Sequence, residues 1–195
     1  MDKLQALKEE VSKLALNKDF IHHKWFLRYH LELVEKISLE LYEEYGGDLD
    51  TIKGLVWIHD YGKIVGIKDD EELLESSKKL LNEIGFEREY TNKVIQLLEI
   101  FESKMTQDLS EAPMEVRIVS TADAVSHMYG PFYQIYCYEN PEMSIEDLME
   151  SNLRKLVKDW DRKIVLPEVK EILKDRYQFL RESSGEFSEP ILRSR

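Results

Sequence analysis

Histidine and aspartate side chains occur in this sequence where helices would otherwise be apolar. In the stretch GLVWIHDYGKI, residues 54–64, His59 and Asp60 directly follow an apolar run. A carboxylate or an imidazole is costly to bury unless a partner compensates it. A divalent cation is such a partner, because imidazole and carboxylate together bind Mn, Fe, Co, Ni or Zn well, and Mg less well.

Two further polar residues show the same pattern. His30 shares a helical stripe with Phe26 and Val34, and Asp123 lies four residues after Val119. Residues spaced in this way lie on one side of a helix, so both side chains should point into the core. A cation would keep the carboxylates ionised and the imidazoles neutral.

A structural interpretation of these residues competes with the metal site. A single inward histidine is usually a hydrogen-bonded core residue, and a single inward aspartate is usually a cap or an arginine partner. A plain hydrogen-bonded network predicts that the four side chains do not converge in space. A metal site predicts that their donor atoms surround one point.

The order of these residues resembles the HD-domain superfamily of metal-dependent phosphohydrolases. His30 in HLELV, the pair His59-Asp60 in VWIHDYGK and Asp123 in STADAVSH follow the family pattern H…HD…D, over residues of about 20 to 130. The resemblance implies a helical bundle in which these four side chains bind the metal. It also implies that the metal polarises a phosphate oxygen and lowers the pKa of a bound water.

The number of histidines argues for one metal ion. Family members with two metals carry further histidines between the HD pair and the last aspartate. This sequence has five histidines, and none of them lies between His59 and Asp123. A two-metal site of the cyclic-dinucleotide type is therefore not expected.

Two residues beside the expected ligands are candidates for catalysis. Lys63 follows Asp60 by three residues, so it returns to the same side and could bind phosphate or stabilise the leaving oxygen. Its alternative role is to offset the helix dipole. His127 follows Asp123 by four residues and so shares its side of the helix. It could act as an acid/base or support the metal ligands, or it could be only a polar residue at the helix end before Gly130.

An aromatic stretch and several basic residues leave alternatives open. The segment MYGPFYQIYCY could stack on a nucleobase, or it could be a loop that closes the core or an oligomer interface. His22 and His23 are expected at the rim of the pocket or on the surface. Lys24 and Arg28 could meet substrate phosphates, although basic residues on helices are usually solvated.

The elements that must position these residues are helical. Apolar residues recur with helical spacing, and no segment alternates with period two over a useful length. The pattern predicts an all-α, single-domain helical bundle with roughly seven to nine helices over residues 1–182 and a loose tail over 183–195, and the resemblance implies that the bundle is of the HD-domain type. Helix boundaries are indicated at Asp19, Gly46-Gly47, Asp50-Thr51, Asp69-Asp70, Gly85, Pro113, Gly130-Pro131, Ser144 and Pro167.

Composition narrows the class of protein further. The chain has 195 residues, 43% of them hydrophobic, and a formal net charge of −12, which argues against a general nucleic-acid binder. The single cysteine excludes an intramolecular disulfide and a thiolate-rich zinc site. No apolar run approaches membrane-spanning length and no signal-peptide pattern occurs, so we expect a soluble, cytoplasmic protein with no membrane partner.

The four candidate ligands and the resemblance to the HD-domain superfamily together imply a phosphohydrolase that uses one divalent metal ion (Mn, Co, Ni, Fe, Zn or Mg). Its substrate would be a small phosphorylated metabolite, with a nucleotide as the leading candidate. The alternative is a non-catalytic, metal-stabilised helical module for binding or regulation. The C-terminal third could cover the pocket, form the face of a homodimer, or complete the core.

Overall fold

Helices form nearly all of the chain that the computed structural model describes, residues 2–187 and 189. They are α1 Lys3–Ala15, α2 Glu32–Tyr45, α3 Leu49–Ile58, α4 Tyr61–Val65, α5 Asp70–Ile84, α6 Arg88–Glu102, α7 Met114–Tyr129, α8 Phe132–Glu139, α9 Ile145–Lys158 and α10 Pro167–Ser183. The described residues contain no strand, and nine of these helices have eight residues or more. The predicted all-α class is confirmed.

Helix α7 forms the centre of the fold. It is buried along most of its length, and it packs against α2, α3 and α6. Its sequence permits this because apolar and small residues, such as Val119 and Ala122, occur on every side of the helix. Any polar side chain in the middle of α7 therefore faces other helices rather than solvent, and Asp123 occupies such a position.

Short side-chain caps fix where several helices begin. Asp69 accepts a hydrogen bond from the backbone of Glu72 at 2.9 Å and caps α5, as expected. Gly85 ends that helix in the left-handed conformation, with φ of 94°. Helix α3 is capped by Asp48 rather than by Asp50 or Thr51, so the predicted start was wrong by two residues.

Three segments differ from the expected helix pattern. Residues 17–25 form turns, and a π-helical turn, Leu27–Leu31, precedes α2, so the single helix expected after Asp19 is interrupted. A second π-helical turn, Asp159–Lys163, follows α9. The aromatic stretch is not a loop, since it continues after Pro131 as helix α8.

The C-terminal end is partly described. Helix α10 ends at Ser183, a turn follows at Ser184, and Arg181 Nε donates to Glu186 at 2.7 Å. Residue 188 and residues 190–195 lie outside the described residues, and with them most of the predicted tail. Within the described ranges, every helix is too short or too polar to serve as a membrane span.

Candidate metal centre

The four side chains expected to bind a metal converge at the centre of the fold. His30 Nε2 lies 3.0 Å from Asp60 Oδ2 and 3.8 Å from Asp123 Oδ1. His59 Nε2 lies 3.6 Å from the same oxygen of Asp60. The π-helical turn before α2, the end of α3 and the middle of α7 thus each contribute to one cluster. Contacts through His30 and Asp60 link the four side chains, and among the described residues no group of donor atoms within 4.8 Å of one another contains all four.

The donor atoms form two groups that overlap at His30. Those of His30, His59 and Asp60 lie within 4.8 Å of one another, and so do those of His30, Asp123 and His127. Two ligands of one ion, each about 2.0–2.3 Å from it, can lie at most about 4.6 Å apart. The distances from the carboxylate oxygens to the histidine nitrogens are 3.0 and 3.6 Å in the first group and 3.8 and 3.6 Å in the second, below this limit, so these residues could hold a metal ion.

The imidazole of His59 presents an unsatisfied lone pair. Its Nδ1 lies 2.7 Å from the carbonyl oxygen of Val56, which only accepts, so Nδ1 carries the proton. Its Nε2 is buried and has no hydrogen-bond partner among the described residues. Burial lowers the pKa of His59 and keeps the ring neutral. An unpaired buried polar atom costs about 1–3 kcal/mol, which a bound cation would offset.

The orientation of His30 leads to the same conclusion. The hydroxyl of Ser126 donates to the carbonyl oxygen of Asp123 at 2.7 Å, so it accepts a hydrogen bond from His30 Nδ1 at 3.0 Å. In the neutral ring, Nε2 then directs a lone pair at Asp60 Oδ2. Two acceptor atoms at 3.0 Å require a cation or a proton between them.

Two lysines keep the carboxylates ionised. Lys63 donates to Asp60 Oδ2 at 2.7 Å, and Lys163 donates to Asp123 Oδ2 at the same distance. Burial alone raises the pKa of Asp60 and of Asp123, but these lysines and the neighbouring histidines hold both values well below the usual range. Both side chains are therefore carboxylates at neutral pH, which is the form that binds metal.

His127 is held by residues from the C-terminal third. Its Nδ1 lies 2.8 Å from Asp159 Oδ2, and its ring stacks on His30 with centroids 5.2 Å apart. Burial lowers the pKa of His127 to about 4, so the ring is neutral at pH 7. Lys155 Nζ also lies 3.1 Å from Nδ1. In the tautomer whose Nδ1 donates to Asp159, the free lone pair is on Nε2, 3.6 Å from Asp123 Oδ1. A histidine oriented by a carboxylate in this way is common around bound metals.

Sequence reasoning missed three charged residues of this site. Lys155 and Lys163 both contact Asp159, which is fully buried. Burial alone raises the pKa of Asp159, but Lys163 and His127 lower it overall, so the carboxyl is ionised. The spacing could have revealed them, because each follows the previous one by four residues along one side of a helix.

The remaining candidates lie around the rim of the site. Lys63 is half exposed, and its ammonium lies 5.2 Å from the centre of the Phe26 ring. His22 contacts Glu139 at 2.9 Å, and His23 contacts the carbonyl oxygen of Phe20 at 2.8 Å. Lys24 and Arg28 are exposed and lie over tyrosine rings rather than over the metal centre.

The fold and the site together define an all-α protein with a buried histidine–aspartate centre that could hold a metal ion. Comparison with known proteins adds no relative. No family model matches the chain, and no curated protein and no solved structure matches it. Its function must therefore be inferred from the residues themselves.

Proposed function

We propose that this protein is a metal-dependent phosphohydrolase of the HD-domain type. It would cleave the phosphate ester of a small metabolite, with a nucleotide as the leading candidate. The observation that carries the proposal is the buried lone pair on His59 Nε2, which has no hydrogen-bond partner in the described part of the chain and lies 3.6 Å from an Asp60 oxygen. An imidazole nitrogen that is unpaired beside an ionised carboxylate offers a lone pair that a cation could bind.

We propose that the centre holds one divalent ion rather than two. The ammonium of Lys163 lies between Asp123 Oδ2 at 2.7 Å and Asp159 Oδ1 at 3.3 Å. The attraction of both carboxylates outweighs burial and raises the pKa of Lys163, so the side chain stays charged. This fixed positive charge occupies the side of Asp123 that a second cation would need.

The roles of the residues follow from their positions. His30, His59, Asp60 and Asp123 would hold the ion, which when bound polarises a phosphate oxygen and lowers the pKa of a coordinated water. Lys63 is exposed enough to bind a phosphate oxygen and to stabilise charge on the leaving group. His127, neutral and oriented by Asp159, would accept a proton at Nε2.

Metal content tests this proposal first. We would purify the protein without chelator and measure bound metal in the wild type, in Asp60→Ala and in the exposed control Asp161→Ala. We expect about one ion per chain in the wild type and the control, and its loss in Asp60→Ala. No metal in the wild type, together with no rise in melting temperature on adding any divalent ion, would contradict the proposal.

Hydrolysis separates the two functional hypotheses. Nucleoside monophosphates and sugar phosphates would be incubated with wild-type protein and Mn²⁺, Co²⁺, Ni²⁺ or Mg²⁺, and released phosphate would be measured. Phosphate release that is lost in Asp60→Ala supports the enzyme. Bound metal with no release from any substrate favours the non-catalytic module.

A further inference from the structure

A cavity of about 300 Å³ opens beside the candidate metal centre. His30, His127 and Lys63 line one part of it, and Glu139 and Asn140 line another. It lies between residues 22–30 and helix α8, the element that sequence analysis did not predict. Its volume is at the lower end of the range for small-molecule sites, so it suits a single small metabolite.

Aromatic rings form much of the wall of this cavity, which we call the aromatic pocket. Trp25 and Phe132 meet edge to face with centroids 6.1 Å apart, and Tyr136 also lines the pocket. Phe132 packs on the ring of His127 with centroids 4.1 Å apart. Trp25, Phe132 and Tyr136 are partly exposed, so they offer flat apolar surface on which a ligand ring can stack, whereas Phe26, which also lines the cavity, is buried.

A fixed carboxylate supplies the polar end of the aromatic pocket. Glu139 Oε1 accepts a hydrogen bond from Trp25 Nε1 at 2.8 Å, and Oε2 lies 2.9 Å from His22 Nδ1. These two partners hold both oxygens in place. Each carboxylate oxygen can accept more than one hydrogen bond, so Glu139 retains acceptor capacity for a ligand. Its side chain is 23% exposed and can be reached from the cavity.

We infer that the aromatic pocket binds the organic part of the substrate as a flat heteroaromatic ring whose N–H groups donate to Glu139, the chemistry of a nucleobase. The inference rests on the proposed function, because the same cavity reaches Lys63, the residue proposed to bind the phosphate, and His30 and His127 of the candidate metal centre. It assigns Glu139 the role of a specificity residue. It also excludes an anionic group at the Glu139 end, since two negative charges would repel there.

Binding of nucleosides tests the inference without any phosphate, metal or hydrolysis. Adenosine, guanosine, cytidine, uridine and ribose would be titrated into full-length protein in the presence of chelator, with heat or tryptophan fluorescence as the readout. The variants would be Glu139→Gln and the matched control Glu142→Gln, which is exposed just beyond α8. A Gln at position 139 replaces one acceptor oxygen by a donor and removes the charge.

We expect at least one nucleoside to bind wild type and Glu142→Gln equally, with ribose not binding. Glu139→Gln should raise its dissociation constant about tenfold or more, the usual loss for a hydrogen bond to a charged acceptor. Tyr136→Leu, which removes a stacking surface and leaves Glu139 intact, should weaken the binding of every nucleoside. If Glu139→Gln does not fold, the nucleoside affinity of Tyr136→Leu tests the aromatic pocket instead.

Three results would overturn the inference: no nucleoside binds, ribose binds as tightly as the nucleosides, or Glu139→Gln binds like the wild type. Failure of the inference and failure of the proposed function are distinguishable. Phosphate release from sugar phosphates without nucleoside binding would support the phosphohydrolase proposal and contradict the inference of a base-binding pocket. Nucleoside binding by a protein that takes up no metal would support the pocket and contradict the phosphohydrolase proposal.

Discussion

Lys163 donates a hydrogen bond to Oδ2 of Asp123 at 2.7 Å, and both residues are buried. The contact joins the π-helical turn after α9 to the middle of α7. The other oxygen of Asp123, Oδ1, lies 3.8 Å from His30 Nε2 and 3.6 Å from His127 Nε2. One oxygen of this carboxylate is thus neutralised by a lysine, and the other remains directed at the histidines.

Removal of the Lys163 ammonium should therefore lower the stability of the fold. We expect Lys163→Met to lower the free energy of unfolding by about 3–5 kcal/mol, because the buried carboxylate of Asp123 would lose its lysine, while Asp159 would keep Lys155. The control is Lys158→Met on the exposed side of α9, which should change stability by less than about 0.5 kcal/mol. Urea unfolding without added metal measures both, and equal stability of the two variants would show that Lys163 does not neutralise the site.

Asp159 and His127 should act as one unit. Under the proposed phosphohydrolase function, Asp159→Asn and His127→Gln should each lower kcat about 10- to 100-fold, because Asp159 orients the ring of His127. The double variant should be no worse than the poorer single variant, since both changes remove the same function. Metal content should stay near that of the wild type in Asp159→Asn. Multiplicative losses in the double variant would contradict this assignment.

Divalent metal should stabilise the protein through His59. At a metal concentration 100 times the dissociation constant, binding adds about 2.7 kcal/mol to the free energy of unfolding. We expect His59→Phe to abolish this increment while the metal-free variant stays within about 2 kcal/mol of the wild type, because Phe removes one hydrogen bond, from Nδ1 to the carbonyl oxygen of Val56, and Nε2 has no hydrogen-bond partner among the described residues. Thermal unfolding with chelator measures the stability of the metal-free variant, and thermal unfolding with Mn²⁺ or Ni²⁺ measures the stabilisation by metal. A variant that is still stabilised by metal would remove His59 from the ligand set.

Helix α3, which is followed directly by His59 and Asp60, is stabilised by its N-cap residue Asp48. Asp48 accepts a hydrogen bond from the backbone of Thr51 at 3.1 Å and pairs with Lys93 at 2.8 Å. We expect Asp48→Ala to cost about 1 kcal/mol of stability at pH 7. Asp48→Asn, which keeps a capping oxygen and loses the charge, should cost less.

The cap also predicts a pH dependence. The hydrogen bond from Lys93, followed by the bond from Thr51, holds the pKa of Asp48 below its usual value of 3.8. A carboxyl with a lowered pKa stabilises the fold above the unfolded value, and this stabilisation is lost as the pH falls through the folded value. The difference between wild type and Asp48→Ala should therefore be full at pH 6 and shrink below about pH 4. An unchanged difference at pH 3 would show that the charge of Asp48 contributes nothing.

Local sequence pattern was sufficient for most of the fold. Period-3.6 spacing located the helices, and the caps at Asp69 and Gly85 fell where the residue types predicted them. The same periodicity directed His30, His59 and Asp123 inward, because which side of a helix is apolar depends only on residues within a few turns. Helix α8 was missed, since an aromatic-rich segment after Gly130-Pro131 is equally compatible with a loop.

The partners of the buried charges were decided only by the tertiary structure. Nothing near Asp123 in the sequence indicates that Lys163 neutralises it, and nothing near Trp25 indicates that Glu139 accepts its hydrogen bond. Sequence alone determined which polar side chains had to be buried and therefore needed a hydrogen-bond or charge partner. Helix packing brought together residues that are far apart in the chain, and this determined which groups act as those partners. The electrostatic interactions that ionise and orient the candidate metal centre depend on those long-range contacts.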